Sequence, residues 1–272
     1  MRVRSYGTVG PSVIVLHGGP GAPGYMAPVA RRMAESSRVL EPLQRRSGGA
    51  PLTVALHVAD LHDLVTSTTD DEQPALVGHS WGAMLALAYA SAHPGHVASI
   101  VLIGCGTFDR ESRDQLRWNR EQRIDEPLRR RIEQLPADIS DPDERLKAMG
   151  TLMVAPYSYE VESTELELER CDALGFHQTW QDALRLQDLS IHPEAFSAID
   201  APVLMLHGSI DPHPGAMIRA SLERHLPGMV YREWERCGHY PWLERAIRDE
   251  FFDVLESWLA SNRRRKPPTD LA

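Results

Sequence analysis

The chain has 272 residues, with 29 basic against 38 acidic side chains and a formal charge of −9. A chain of this length buries enough surface in one core to stand without disulfide or metal staples. Its acidic balance argues against general nucleic-acid binding, and its three scattered cysteines, Cys105, Cys171 and Cys237, rule against a disulfide framework or a cysteine zinc site.

The opening, from Met1 to Gly7, runs almost directly into a strand pattern and lacks the apolar segment of a secretory signal. No run of about eighteen apolar residues is present to span a bilayer, so a soluble protein of a reducing, cytoplasmic compartment is expected. Strand-type runs follow at Ser12–His17, Arg38–Leu43, Ala75–Val77, Val97–Ile103, Pro202–His207 and Met229–Trp234. Several are continuously apolar, as strands covered on both faces are. Between them lie helical patterns at Pro28–Glu35, Val54–Thr66, Trp81–Ala92, Ala216–His225 and Ala246–Ser261. The alternation predicts an α/β fold, a doubly wound and mostly parallel sheet.

From about Thr107 to Ala195 strand signals vanish, charges become dense, and prolines at 127, 136, 142 and 156 break the helical stretches. The expected organisation is a core of residues 1–106 and 196–272 with a helical cap, residues 107–195, set over one edge of the sheet as a lid. The tail Arg263-Arg-Arg-Lys-Pro-Pro reads as a solvated end.

The chemistry concentrates in Gly78-His79-Ser80-Trp81-Gly82, between an apolar strand and a helical run. A serine on so sharp a strand-to-helix turn needs small residues two positions before and after it, and Gly78 and Gly82 meet that need. A hydroxyl is a weak nucleophile until a base takes its proton and a third group orients the base. Asp211 follows one strand and His239 the next, in the order such a triad needs. Asp109 is the rival acid, since it follows the strand ending at Ile103. Of the other histidines near the proposed site, His79 and His207 are expected to pack locally and His213 to lie at the surface. His17-Gly18-Gly19-Pro20-Gly21 ends the first clear strand, and with Pro20 lacking an N–H, the amides of Gly19 and Trp81 are the candidate oxyanion donors. No dinucleotide or phosphate loop and no His-Glu-x-x-His pair is present, so no cofactor or metal is expected.

With strand, glycine loop, serine turn, acid and histidine in this order, the sequence resembles the α/β-hydrolase superfamily over nearly its whole length. The pairing of His17-Gly-Gly-Pro-Gly with Gly78-His-Ser-Trp-Gly is similar to the proline iminopeptidase branch. That resemblance implies Ser80 as nucleophile, Asp211 as orienting acid, His239 as general base and then acid, and a helical cap between the sixth and seventh strands. It also implies an ester or amide substrate of small-molecule or short-peptide size, with possible removal of an N-terminal proline. Lyase, perhydrolase or acyltransferase chemistry on the same fold, or a non-catalytic ligand receptor, are the alternatives.

Three departures mark the chain off from that branch. Leu43-Gln44-Arg45-Arg46-Ser47-Gly48 stands where the branch has an Asp-Gln-Arg-Gly motif, Asp211 is followed by Pro212 rather than an acid, and the region before the glycine loop leaves one or both opening strands reduced or absent. The acids Glu160, Glu162, Glu165, Glu167 and Glu169 read as a solvated face, with amine recognition by one or two of them as the lesser reading. Trp118, Tyr157, Tyr159, Phe176 and Trp180 read either as cap packing or as the lining of an apolar acyl or prolyl pocket.

Overall fold

The computed structural model describes residues 1–68 and 72–263; most of the basic tail read above as a solvated end lies outside them. The sheet has seven strands in the order β1-β3-β2-β4-β5-β6-β7. These are β1 Arg2–Tyr6, β2 Ser12–Leu16, β3 Arg38–Leu43, β4 Ala75–His79, β5 Ile100–Ile103, β6 Val203–Gly208 and β7 Val230–Trp234. All neighbours pair in parallel except β1, which runs antiparallel to β3, Arg2 opposite Leu43. One opening strand is therefore present, at the sheet's edge.

Side chains alternate across each central strand, and the two faces carry separate cores. Ile14, Leu16, Leu76, Ile100, Leu102 and Met205 pack against α2 (Val54–Thr68) and α3 (Trp81–Ala92). Val13, Val15, Val77, Val101, Ile103 and Leu206 pack on the opposite side with α1 (Ala27–Met33) and α9 (Arg248–Ser261). Strands β2, β4, β5 and β6 are buried along their whole length, which accounts for their unbroken apolar runs. Helix α3 is buried from Trp81 to Ala90, so it has no polar face; each large side chain it hides contributes roughly 1.5–3 kcal/mol.

Between β5 and β6 the chain forms α4 (Arg110–Gln122), α5 (Glu126–Asp138), α6 (Pro142–Val154) and α7 (Ala173–Asp188). Each opens on an aspartate whose carboxylate accepts a first-turn amide: Asp109, Asp125, Asp141 and Asp172. Prolines 127 and 142 start helices, where the missing N–H costs nothing. Pro136 does not break its helix as expected; it lies inside α5, two residues before its end, where only the final turn loses a bond. Helix α8 (Gly215–Glu223) links β6 to β7. Among the described residues no helix is long and apolar enough to cross a membrane.

Candidate active site

Ser80 sits where β4 turns into α3, at φ 53° and ψ −117°, a left-handed conformation rare for a residue with a side chain. Two close approaches make the turn possible. A β-carbon on Gly78 would stand 2.3 Å from the Gly82 carbonyl oxygen, and one on Gly82 would stand 2.2 Å from that of Leu16. The Ser80 amide donates to the Ile103 carbonyl at 2.9 Å, which fixes the turn against the end of β5.

The glycine loop lies directly on this turn. A β-carbon on Gly18 would meet Ser80 Cβ at 2.7 Å and the Tyr25 hydroxyl at 2.4 Å. Gly19 adopts φ +50°, and no bond engages its amide among the described residues. The Trp81 amide opens α3, where helix geometry supplies no partner. Trp81 directly follows the serine, and Gly19 directly follows the residue that packs on Ser80 Cβ.

Gln44 ties the two segments together. Its amide donates to His17 Nε2 at 3.2 Å, its side-chain nitrogen to the His17 carbonyl at 3.0 Å, and its oxygen accepts from Trp81 Nε1 at 2.8 Å. Burial lowers His17 to about 4, so it is neutral and free to accept that bond.

Asp211 and His239 meet as the strand order predicts. His239 Nδ1 donates to Asp211 Oδ2 at 2.6 Å, and both residues are buried. Burial alone would raise the Asp211 carboxyl, but His239, His213 and His207 together outweigh it and hold the group well below the ordinary carboxylate range. Burial is also what lowers His239, against the pull of Asp211. The pair is therefore an ionised acid and a neutral imidazole with Nε2 left as an acceptor. Asp109, the rival acid, spends both oxygens on Ser112, at 2.7 Å from its amide and 2.9 Å from its hydroxyl, capping α4.

His79 links serine and histidine. Its ring lies 4.4 Å from that of His239, and its Nε2 donates to the His239 carbonyl at 2.9 Å. Its Nδ1 accepts from Tyr25, whose oxygen in turn accepts from the Gly18 amide, each at 2.7 Å. Gly104 completes the rim: a β-carbon there would stand 2.8 Å from His239 Nδ1 and 3.2 Å from Asp211 Oδ2. The structure thus brings all three predicted side chains to one rim at the carboxyl ends of the strands. Asp211 and His239 are hydrogen-bonded; no hydrogen bond joins Ser80 to His239 among the described residues.

His213 corrects its expected place at the surface. Its side chain is 11% exposed, its Nδ1 and amide each donate to Asp211 Oδ1 at 2.9 Å, and its ring stacks on His239 at 4.5 Å and 10°. Ligand-type atoms of Asp211, His213 and His239 lie within 4.8 Å of one another. As a cation site the group is poorly disposed, since both histidine Nδ1 atoms already point at the carboxylate.

The helical insertion is fastened to these loops and, through Glu169, to Arg2 and Arg4 of the edge strand β1. Tyr157 accepts the His239 amide at 2.7 Å through its carbonyl and sets its ring 5.6 Å from the imidazole. Asp172 donates its amide to Gly21, Glu169 to Pro23, and Asn119 its side chain to Pro212. Glu244, buried at 1% exposure, accepts from the amides of Gly238, Tyr159 and Glu160 at 2.7–2.8 Å. Of the aromatics, Tyr157 faces the site and Trp180 packs edge-on to Trp81 at 5.8 Å, whereas Trp118 and Tyr159 are largely exposed.

A family model described as "Alpha/beta hydrolase family" matches residues 13–251, most of the chain. The chain belongs to that family. Among curated relatives of this alpha/beta hydrolase, a proline iminopeptidase of Lactobacillus crispatus (strain ST1) is 26% identical over 197 residues, covering 68% of this chain and just under two thirds, 64%, of the relative. A second proline iminopeptidase, of Lactobacillus helveticus (strain DPC 4571), is 22% identical over 273 residues, 92% of this chain and 90% of that one. The crystal structure of the proline iminopeptidase of Mycobacterium smegmatis superposes with a TM-score of 0.64 at 20% identity, covering 96% and 94% of the two chains, a likeness of fold.

Sequence reasoning on this hydrolase missed Gln44, Tyr25, His213 and Glu244. Gln44 stands in the stretch read only as a departure from the family motif, and its glutamine was the available signal. For Glu244 no signal existed, because two of its three partners, Tyr159 and Glu160, stand 85 and 84 residues away.

Proposed function

We propose that the protein is a serine hydrolase that cleaves a small ester or amide through an acyl-enzyme. Ser80 attacks the carbonyl carbon as His239 Nε2 takes the hydroxyl proton, and Asp211 stabilises the imidazolium that results. The amides of Gly19 and Trp81 receive the oxyanion. The imidazolium returns the proton to the leaving group, and water then enters by the same route to release the acid. The helical insertion acts as the cap, shielding the acyl-enzyme from bulk water.

The observation that carries this reading is the buried 2.6 Å bond between Asp211 and His239, set beside a serine held at positive φ. Its test is fluorophosphonate labelling and p-nitrophenyl ester hydrolysis by native protein and Ser80→Ala. Labelling and turnover should vanish in the variant; equal labelling of both would remove Ser80 from its role.

An aminopeptidase form of the same chemistry draws its support from the names of the curated relatives. Of the five cap glutamates, Glu162 pairs with Arg248, Glu167 with Arg31, and Glu169 with Arg2 and Arg4, which leaves Glu160 and Glu165 as the candidates for a substrate amine. Hydrolysis of proline β-naphthylamide would establish that form, and its absence beside ester turnover would remove it. Lyase, perhydrolase or acyltransferase products would be separated by product analysis with competing nucleophiles. The free, buried cysteines favour a reducing, cytoplasmic setting.

A further inference from the structure

Asp211 carries two imidazoles, one on each oxygen. His239 Nδ1 donates to Oδ2 at 2.6 Å, and His213 Nδ1 donates to Oδ1 at 2.9 Å. The two rings lie nearly parallel, with centroids 4.5 Å apart and planes 10° apart. The mechanism above uses only the first of them.

The two bonds that His213 makes to Oδ1 differ in what they demand. The amide bond, at 2.9 Å, is one that any residue with an N–H two places after an aspartate can make. The Nδ1 bond needs a side-chain donor at this one position, and the rest of the loop holds that donor in place. His207 Nε2 donates to the His213 carbonyl at 2.9 Å, and Asn119 of α4 donates its side chain to the carbonyl of Pro212 at 2.8 Å. The Tyr157 ring stands edge-on to both imidazoles, 6.0 Å from His213 and 5.6 Å from His239. His213 is thus fixed by β6, by the cap and by the ring it stacks on.

A carboxylate can turn about its Cβ–Cγ bond until both of its oxygens are engaged. Were Oδ2 to turn away, the His239 Nδ1 proton would lose its acceptor. The imidazole could then take the other tautomer, with its proton on Nε2, where the reaction needs a lone pair. His207 does not prevent that turn, since its Nε2 is 3.5 Å from Oδ2 and is spent on the His213 carbonyl.

We infer that His213 is a positioning residue for the proposed reaction: its Nδ1 bond to Oδ1 locks the Asp211 carboxylate in the orientation that keeps Oδ2 on His239. The inference rests on the hydrolase reading above and adds a fourth side chain to it. In this role His213 meets neither substrate nor reacting atom and acts through Asp211.

The test is p-nitrophenyl ester hydrolysis by full-length native protein, His213→Asn, His213→Ala and His213→Leu, each with its circular dichroism. Asparagine places an N–H donor near the position of Nδ1, leucine fills the space without one, and alanine supplies neither. The expected result is a kcat within about threefold of native for His213→Asn and a fall of roughly 10–100-fold for His213→Ala and His213→Leu, with KM within about twofold throughout. A native kcat in the alanine and leucine variants overturns the inference. So does an asparagine variant that falls as far as leucine, because packing rather than the bond would then be what counts. A loss of about 10³-fold or more in His213→Asn, the size expected for removal of a triad member, also overturns it, by making His213 a reacting group. No Ser80-dependent turnover or labelling in native protein overturns the hydrolase reading and the inference with it. If His213→Ala does not fold, the asparagine and leucine variants, which keep more of the side chain's volume, decide the matter.

Discussion

His79 holds His239 by its main chain: the Nε2 of the first donates to the carbonyl of the second at 2.9 Å, across 160 residues of sequence. The bond is one link of a chain that runs from the Gly18 amide through Tyr25 and His79 to the loop of His239. Burial keeps His79 well below the ordinary histidine range, so it donates through Nε2 and accepts through Nδ1 at once. His79→Phe keeps the ring's volume and loses both bonds. The expected result is a fall in kcat of roughly 10–100-fold from a shifted His239, with native circular dichroism.

Asp211→Asn and Asp109→Asn separate the two acids. The first should lower kcat by about 10³–10⁴-fold, the cost of losing the charge that orients and stabilises the imidazolium. The second leaves an asparagine, which caps a helix about as well as aspartate, and should leave both kcat and Tm nearly as they were. Ester kinetics and a thermal melt of both variants check this.

The acid limb of kcat/KM should follow His239. Burial puts this group below its ordinary value of 6.5, and it must be neutral to accept the serine proton. Activity should therefore be full at neutral pH and fall through an apparent pKa below 6.5. A limb centred above 6.5 would contradict this arrangement.

Stability should fall over a similar range for a different reason. His17, fully buried and lowered to about 4, binds a proton in the unfolded chain at pH values where the folded chain binds none. The unfolded state thus gains protons from about pH 6.5 down to about 4, and the folded state loses about 3 kcal/mol from this one group. Chemical denaturation at pH 7 and pH 5 measures the effect, which must have the sign of lower stability at pH 5.

Glu244→Gln tests the fastening of the insertion to the His239 loop. The glutamine can keep the bonds to Tyr159 and Gly238 but must turn its NH₂ toward the Glu160 amide, donor against donor. A loss of roughly 1–3 kcal/mol is expected, seen as a lower Tm.

Much of the core could be read from residue order, because its signals are local. Apolar runs in β2, β4, β5 and β6 announce strands covered on both faces, and the strained turn at Ser80 announces itself through Gly78 and Gly82. The first strand escaped the strand assignment because Arg2 and Arg4 interrupt it; both pair with Glu169 of the insertion, a partner local pattern cannot reveal. The identity of His213 as a second donor to Asp211 depended on how the loop after β6 folds back, whereas its position between two prolines was read only as a surface one.

What the order of residues determined on its own was the doubly wound class, the serine turn, the glycine loop and the candidate set Ser80, Asp211 and His239, since each is signalled by near neighbours. Tertiary structure alone decided that Asp211 and not Asp109 meets His239, and that the insertion is stitched to the His239 loop. Those outcomes depend on distances between segments up to 85 residues apart, which a side chain's neighbours in the chain do not encode.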